Sequence, residues 1–472
     1  MESIASFFAA AGNVLNCVVA AVNDVLWNKY LLLLFLLMGS GVFFSIRTRF
    51  VQVRRFGAGM RRVFGNISLK GKKAGKEGMS SFQALATAIA AQVGTGNIAG
   101  CASALVAGGP GAIFWMWVSA FFGMSTIYSE AVLAQKYKQV SENGEVTGGP
   151  IYYIRAAFKG WLGKFLAVFF AIAIILALGF MGNMVQANSI GDAFSTAFGV
   201  PKVLTGAIIA CVCAFIFLGG VKRIASVTEK LVPVMAVFYI LGSLAAIGFN
   251  IQNLLPAIKS IFVGAFQPQA VLGGALGVGV KEAMRFGVAR GLFSNEAGMG
   301  STPHAHALAK VEKPQDQGEV AMIGVFIDTF VVLNMTALVI LTSGVLGTVG
   351  PDGSFITATA LAQAAFNKTF GSFGSAFVAV CLLFFAFSTI IGWYFFGESN
   401  VKALFGGSKT AKVVYSVIAL VLIVVGSFQK VSLVWDMSDM FNGLMVIPNL
   451  LAVLALSGIV AKFARDDAHT LR

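Results

Sequence analysis

Apolar and polar positions along the chain alternate in long blocks. A helix needs about 20 consecutive apolar residues to cross a bilayer. Ten blocks fit that length, at 29–46, 80–107, 111–136, 162–187, 203–221, 230–250, 320–347, 373–400, 411–428 and 431–461. An eleventh, 272–311, is long enough but carries Lys281, Glu282, Arg285, Arg290 and Glu296. Residues 3–25, broken by Asn13, Asn16, Asn23 and Asp24, read as a short helix lying along a membrane. Two blocks are interrupted at mid-depth: 80–107 by Ala-Gln-Val-Gly-Thr-Gly-Asn (91–97), and 272–311 by Ser-Asn-Glu-Ala-Gly-Met-Gly (294–300). Glycine and polar residues end a helix, and an unpaired amide in lipid costs several kcal/mol, so both breaks must line a cavity or be buried in protein.

Composition and charge turn these blocks into a topology. The chain is 57% hydrophobic and 11% charged, whereas soluble domains carry about 25% charged residues. Lipid must therefore solvate much of it. The net charge of +14 does not indicate nucleic acid as a partner, because the basic residues lie between the apolar blocks, where they set orientation. With 11 spans, 26 Lys and Arg fall on one side and five on the other, ten of them in 47–77 alone. The balance requires 272–311 to cross, and it places the N-terminus outside and the C-terminus inside. The N-terminus lacks a basic stretch ahead of its apolar residues and reads as no cleavable signal. The five cysteines form no CxxC pair or Cys/His cluster, so neither a disulfide nor a structural metal is expected.

Each interrupted span is followed by four more. This predicts two five-helix repeats of opposite topology, 79–250 and 251–461. They are preceded by a segment 1–78, with one extra span and a basic loop, and followed by a tail 462–472. Glycine-interrupted segments in corresponding places of two halves are the best sequence pointer to a transporter's binding site. A half-helix N-terminus offers free N–H groups and partial positive charge to a carboxylate, while unwound carbonyls suit a cation. Gly94 and Gly96 let a ligand approach the backbone, and Thr95 and Asn97 add side-chain donors and acceptors. In the second break Asn295 and Glu296 are expected to accept from an ammonium group, with Gly298 and Gly300 opening the backbone.

Several stretches resemble signature segments of the alanine/glycine:cation symporter family, the bacterial sodium:alanine symporters. They are "GTGNIAG" (94–100), "GGPGAIFWMWVSAFFG" (108–123), "GGPIYYI" (148–154), "GNMVQANS" (182–189), "GLFSNEAGMGSTPHAHA" (291–307) and "FSTIIGWYFFGE" (387–398). The resemblance implies an all-α, leucine-transporter-like five-plus-five fold in a bacterial inner membrane. It also implies sodium-coupled import of alanine or glycine by alternating access. Carried over residue by residue, it puts Thr95, Gly96, Asn97, Gln186, Ser294, Asn295, Gly298 and Met299 at the substrate, with Trp393 as a wall that admits only small side chains. A sodium ion is expected between the first break and the third helix of the second repeat, on carbonyls near Ala90, Ala91 and Val93 and the hydroxyls of Ser388 and Thr389. No cofactor is implied beyond that transported ion. The runner-up is a proton-coupled or glutamine-preferring carrier of the same fold. Further alternatives are a channel and an amino-acid sensor, the latter with no room for a signalling domain in the 11 residues after Ala461. An enzyme is not expected, as no nucleophile–base pair, phosphate loop or metal cluster is present.

Other polar residues in or near spans invite roles by default. Asp328 lies deep enough to hold a proton or a structural partner, helix-end placement accounts for Glu130 and Asp436, and Asp439 also lies in or near a span. Lys281, Arg285 and Arg290 should face a vestibule or pair with Glu282 and Glu296. His304 and His306 should serve a helix end. The loop 47–78 combines its basic residues with Phe50, Val53 and Phe56, a pattern suited to a helix on an anionic leaflet.

Overall fold

A computed structural model describes residues 14–65, 79–140, 146–267, 279–429 and 431–466. Apart from a two-stranded hairpin, Gln139–Val140 with Val146–Thr147, the described elements are helical. In chain order they are α1 (Val14–Arg47), α2 (Phe56–Phe64), the bent pair α3 (Ser81–Gln92) and α4 (Gly96–Gly108), α5 (Gly111–Tyr137), α6 (Pro150–Ala157), α7 (Gly160–Phe198), α8 (Lys202–Leu218) and α9 (Gly220–Phe249). Then follow α10 (Ile251–Phe266), α11 (Val280–Asn295), α12 (Pro303–Ala307), α13 (Pro314–Ser343), α14 (Ala358–Phe370), α15 (Phe373–Leu404), α16 (Lys409–Phe428), α17 (Val431–Ala455) and α18 (Ser457–Asp466). Among the described residues eight helices are long and apolar enough to cross a membrane, or nine with the bent pair. The exposed faces of α8, α9 and α16 carry Leu204, Ile208, Val212, Val234, Val237, Leu241, Val417 and Val421, side chains suited to lipid.

Nine of the expected blocks coincide, with shifted edges, with the eight long apolar helices and the bent pair, whereas 203–221 is the shorter helix α8 and the described part of 272–311 is divided between α11 and α12. Helix α7 continues past 187 to Phe198, because the polar side chains of Gln186, Asn188 and Ser189 are buried among other helices rather than ending the segment. Helices α10 and α14 lie outside the expected spans; α14 is amphipathic and buries Leu361, Ala362, Ala365 and Phe366. The start of the weak block, 272–278, and the ends of the basic loop and tail, 66–78 and 467–472, lie outside the described residues. So do residues 3–13 of the stretch expected to lie along the membrane, whereas its remainder, from Val14, is continuous with the extra span.

Helices α5, α11 and α13 pack together, while α7 packs on α15, α16 and α17. The two groups meet where α3 lies on α15. Both predicted interruptions lie in this junction. The first bends the chain by 47° between α3 and α4. In the second, Glu296, Gly298 and Gly300 have φ of +58°, +93° and +79°, a region that costs glycine little and makes the non-glycine Glu296 a strained cap.

The basic loop is docked on protein. Arg55 donates to Glu319 Oε1 at 2.7 Å, and Arg62 to Glu319 Oε2 at 2.7 Å and Asp316 at 2.7 Å. Arg55 and Glu319 are buried. A methyl group on Gly59 would come within 2.9 Å of the Glu319 carbonyl, which shows how closely α2 lies on α13. At the other end of α11, Arg290 does not pair with Glu296. It forms a two-pronged ion pair with Asp439 at 2.7 and 2.8 Å and lies over the Trp435 ring. Glu282 instead caps the start of its own helix at Gly279.

Candidate substrate and cation site

The first break is built by a side chain replacing a helical bond. Asn97 Oδ1 accepts the Gly94 N–H at 2.9 Å, closing a local turn where the ladder stops at Val93. Gln186, from α7, accepts the Thr95 N–H at 2.9 Å. Gly94 has no room for a side chain: its added methyl would strike Thr389 Oγ1 and sit 3.0 Å from Gln186 Oε1. Gly96 lies against the second break, where its methyl would come 3.1 Å from Ser294 Cα. Thr95, Gly96, Asn97, Gln186, Ser294 and Asn295 are thus gathered in one buried region. Within it Thr95 Oγ1 and Gln186 Nε2 have no hydrogen-bond partner among the described residues. Buried polar atoms are nearly always paired, so two orphaned donors beside a helix break mark a place for an acceptor-rich ligand.

On the other face of the first break, hydroxyls of α15 meet its carbonyls. Thr389 Oγ1 donates toward the Ala90 carbonyl at 2.9 Å and the Val93 carbonyl at 3.4 Å, and Ser388 Oγ toward Ala90 at 3.2 Å. Both hydroxyls also reach the Phe385 carbonyl, at 2.8 and 3.1 Å. These are hard, uncharged oxygens, the donor type for a small alkali cation. Ala91 lies between them, with Gly392 pressed so closely on it that a methyl group there would sit 3.2 Å from the Ala91 Cα.

The second break divides between two jobs. Gln92 donates to the Asn295 carbonyl at 2.7 Å and so ties the two breaks together. Asn295 Oδ1 takes the Ala297 N–H, and its Nδ2 donates to Thr329. Glu296 is held at both oxygens: Trp393 Nε1 donates to one at 2.5 Å and Ser301 Oγ to the other. Trp393 stands edge-on to Phe293 and against Gly182, whose methyl would sit 2.5 Å from its ring. Gly298 is held by other partners, and the Met299 N–H goes to the Glu296 carbonyl at 3.1 Å. The N–H groups of Gly298 and Gly300 both go to Glu130 of α5 at 3.0 Å. Asn449 of α17 donates to Glu130 at 2.5 Å and to the Gly298 carbonyl at 2.9 Å, and Tyr153 donates to Asn449 at 2.5 Å. The half-helix amides expected to meet a ligand are here held by the protein's own carboxylate.

Asp328 joins the centre. It lies in a π-helical stretch of α13, Phe326–Leu333, and accepts from Asn97, Ser294 and Thr329. Glu130, expected near a helix end, is fully buried within α5, Asp328 has the structural partners that its depth suggested, and the roles of Gln92, Tyr153 and Asn449 carry no sequence signal, because their partners lie 203, 296 and 319 positions away. The histidines serve a helix end as expected, His304 between the Ser301 carbonyl and Asn400, and His306 against Gln317.

Known proteins resemble this chain along most of its length. The profile of the sodium:alanine symporter family matches residues 12–470. A protein of Methanococcus maripaludis described as sodium/alanine symporter AgcS is 44% identical over 446 residues, covering 94% of this chain and 95% of its own. A Bacillus subtilis protein described as probable sodium/glutamine symporter GlnT is 41% identical over 453 residues, covering 96% and 91%. Among solved structures, MhsT in complex with L-phenylalanine superposes with a TM-score of 0.55 at 15% identity, over 83% of this chain and 100% of that one. At that identity the likeness concerns the fold.

Proposed function

The chain belongs to the sodium:alanine symporter family, and from that premise we propose that it imports alanine or glycine together with sodium by alternating access across a bacterial inner membrane. The observation that carries this reading is the two-faced first break. One face turns the Ala90 and Val93 carbonyls toward Ser388 and Thr389. The other presents the unpartnered donors Thr95 Oγ1 and Gln186 Nε2. A cation on the first face and the carboxylate of an amino acid on the second would be bound by neighbouring residues of one unwound segment. That arrangement makes each ligand stabilise the geometry the other needs, which is the physical content of coupling.

In this reading 79–250 and 251–461 are the inverted repeats, 11 segments cross the membrane, and the basic side bearing α2 faces the cytoplasm. Thr95, Gly96, Asn97, Gln186, Ser294 and Asn295 surround the substrate, and Trp393 with Phe293 fills the space a longer side chain would need. Gly298, whose amide is taken by Glu130, shapes the second break, and Met299 beside it stays a candidate contact of the substrate. A proton-coupled or glutamine-preferring carrier is the second reading, favoured by the glutamine named for the B. subtilis relative.

Uptake into proteoliposomes decides between them. With voltage clamped, an imposed sodium gradient should drive alanine accumulation and an imposed proton gradient should not, and glutamine should compete poorly. Accumulation driven by protons alone would overturn the sodium assignment, and unsaturable flux would indicate a channel.

A further inference from the structure

We infer that Asp328 holds the ammonium group of the transported amino acid. The inference rests on the binding site proposed above and completes it, since that site so far accounts only for the carboxylate and the sodium ion.

Asp328 is fully buried at the junction of the two breaks. Its partners come from both of them: Asn97 Nδ2 donates to Oδ1 at 2.6 Å, and Ser294 Oγ lies 3.0 Å from each carboxylate oxygen. Thr329 Oγ1 donates to Oδ2 at 3.0 Å. All three donors are neutral, and no Lys, Arg or His pairs with Asp328 among the described residues. A carboxylate offers about four lone-pair positions, and three donors leave one open. A buried charge without a countercharge is costly. A ligand that brings a cationic N–H donor removes that cost and fills the remaining position.

The other acids around the second break are less suited. Glu296 is bonded by Trp393 and Ser301 and Glu130 by the Gly298 and Gly300 amides and Asn449, so these bonds do not reach the first break, whereas Asp328 reaches it through Asn97. The ammonium acceptor expected at Asn295 and Glu296 is therefore displaced to α13.

The polarity of the site also matches a zwitterion. The side-chain amide of Asn97 bridges the Gly94 N–H and Asp328, with its oxygen toward the backbone donor and its nitrogen toward the carboxylate. An α-amino acid has the same sense, with acceptor oxygens and an N–H donor joined through one carbon. Donors at the first break and an acceptor at Asp328 would bind the two ends of one small molecule and reject a monocarboxylate lacking the amine.

The test uses purified, reconstituted full-length protein, with propionate as the probe that lacks the amine. In the wild type, alanine should compete for labelled alanine far better than propionate. Asp328→Asn should raise the alanine half-saturation about 30-fold, the effect of losing a charge-assisted bond in a buried site, and should erase the preference over propionate. Asp328→Glu, which keeps the charge, should retain that preference. Sodium-induced thermal stabilisation without amino acid should survive in Asp328→Asn.

Equal competition by propionate in the wild type would overturn the inference without any variant. Wild-type alanine affinity in Asp328→Asn would also overturn it. Loss of the sodium-induced shift in that variant would assign the carboxylate to sodium instead. Failure of the symport reading shows separately, as a wild-type protein without sodium-driven alanine uptake.

Discussion

Replacing Glu130 by Gln should slow transport while leaving sodium binding intact. Glu130 accepts three hydrogen bonds, from the Gly298 and Gly300 amides at 3.0 Å and from Asn449 at 2.5 Å. Oε2 serves Gly298, and Oε1 serves Gly300 and Asn449. A glutamine has one acceptor oxygen, so in either orientation its NH2 faces a glycine N–H. One buried amide then loses its acceptor, at a cost of about 1–3 kcal/mol. The remaining bonds also lose their charge assistance, which is roughly half their strength. Relief of the buried charge offsets part of this. The second break should therefore hold its geometry less well, and maximal uptake should fall about tenfold, the equivalent of 1.4 kcal/mol. The sodium half-saturation should not move, because the Ala90 and Val93 carbonyls belong to the other break. Asn449→Ala should act on the same unit, so the double variant should be less impaired than the two single effects combined. The assay is initial-rate uptake at saturating alanine over a sodium titration, together with thermal unfolding. A Glu130→Gln protein with wild-type rate and melting temperature would refute the reasoning.

Two further outcomes follow from the geometry. Thr389→Val removes a hydroxyl that reaches both the Ala90 and Val93 carbonyls; the sodium half-saturation should rise about tenfold, the effect of about 1.4 kcal/mol, while binding of α2 to the bundle is untouched. A sodium titration unchanged by the substitution would remove Thr389 from the cation site. Glu319→Gln strips the charge that Arg55 and Arg62 share and should cost about 3 kcal/mol of stability, as breaking a buried pair from one side does. It would be read as a lower melting temperature, and an unaltered melt would mean that the ion pairs do not fasten α2.

The residues show why some of the site was legible in the sequence. Gly94, Gly96, Gly298 and Gly300 stand out because glycine and polar residues inside an apolar run violate the rule for a lipid-spanning helix. That signal is local, and so are the cues for Thr95 and Asn97 beside them. Ser388 and Thr389 came from family resemblance, and the structure brings them to the carbonyls of Ala90 and Val93. Glu130, Asn449 and Tyr153 carry no local signal for their joint role, since helical or apolar context explains each alone. Arg290 and Glu296, six residues apart, invited an ion pair, yet the turn after α11 aims Glu296 at Trp393 while Arg290 extends toward Asp439 on α17.

The sequence by itself determined the solvent and the two places where helices must break. Each of these follows from the free energy of single residues in water or lipid, so each is written at its own position. Only the tertiary structure decided which groups those breaks expose. Packing of α5 and α17 gives the second break's amides to Glu130, and packing of α7, α13 and α15 leaves Thr95 and Gln186 with unmatched donors beside Asp328. A hydrogen bond needs both partners within about 3 Å, and these partners lie hundreds of positions apart, so no window of the sequence contains them.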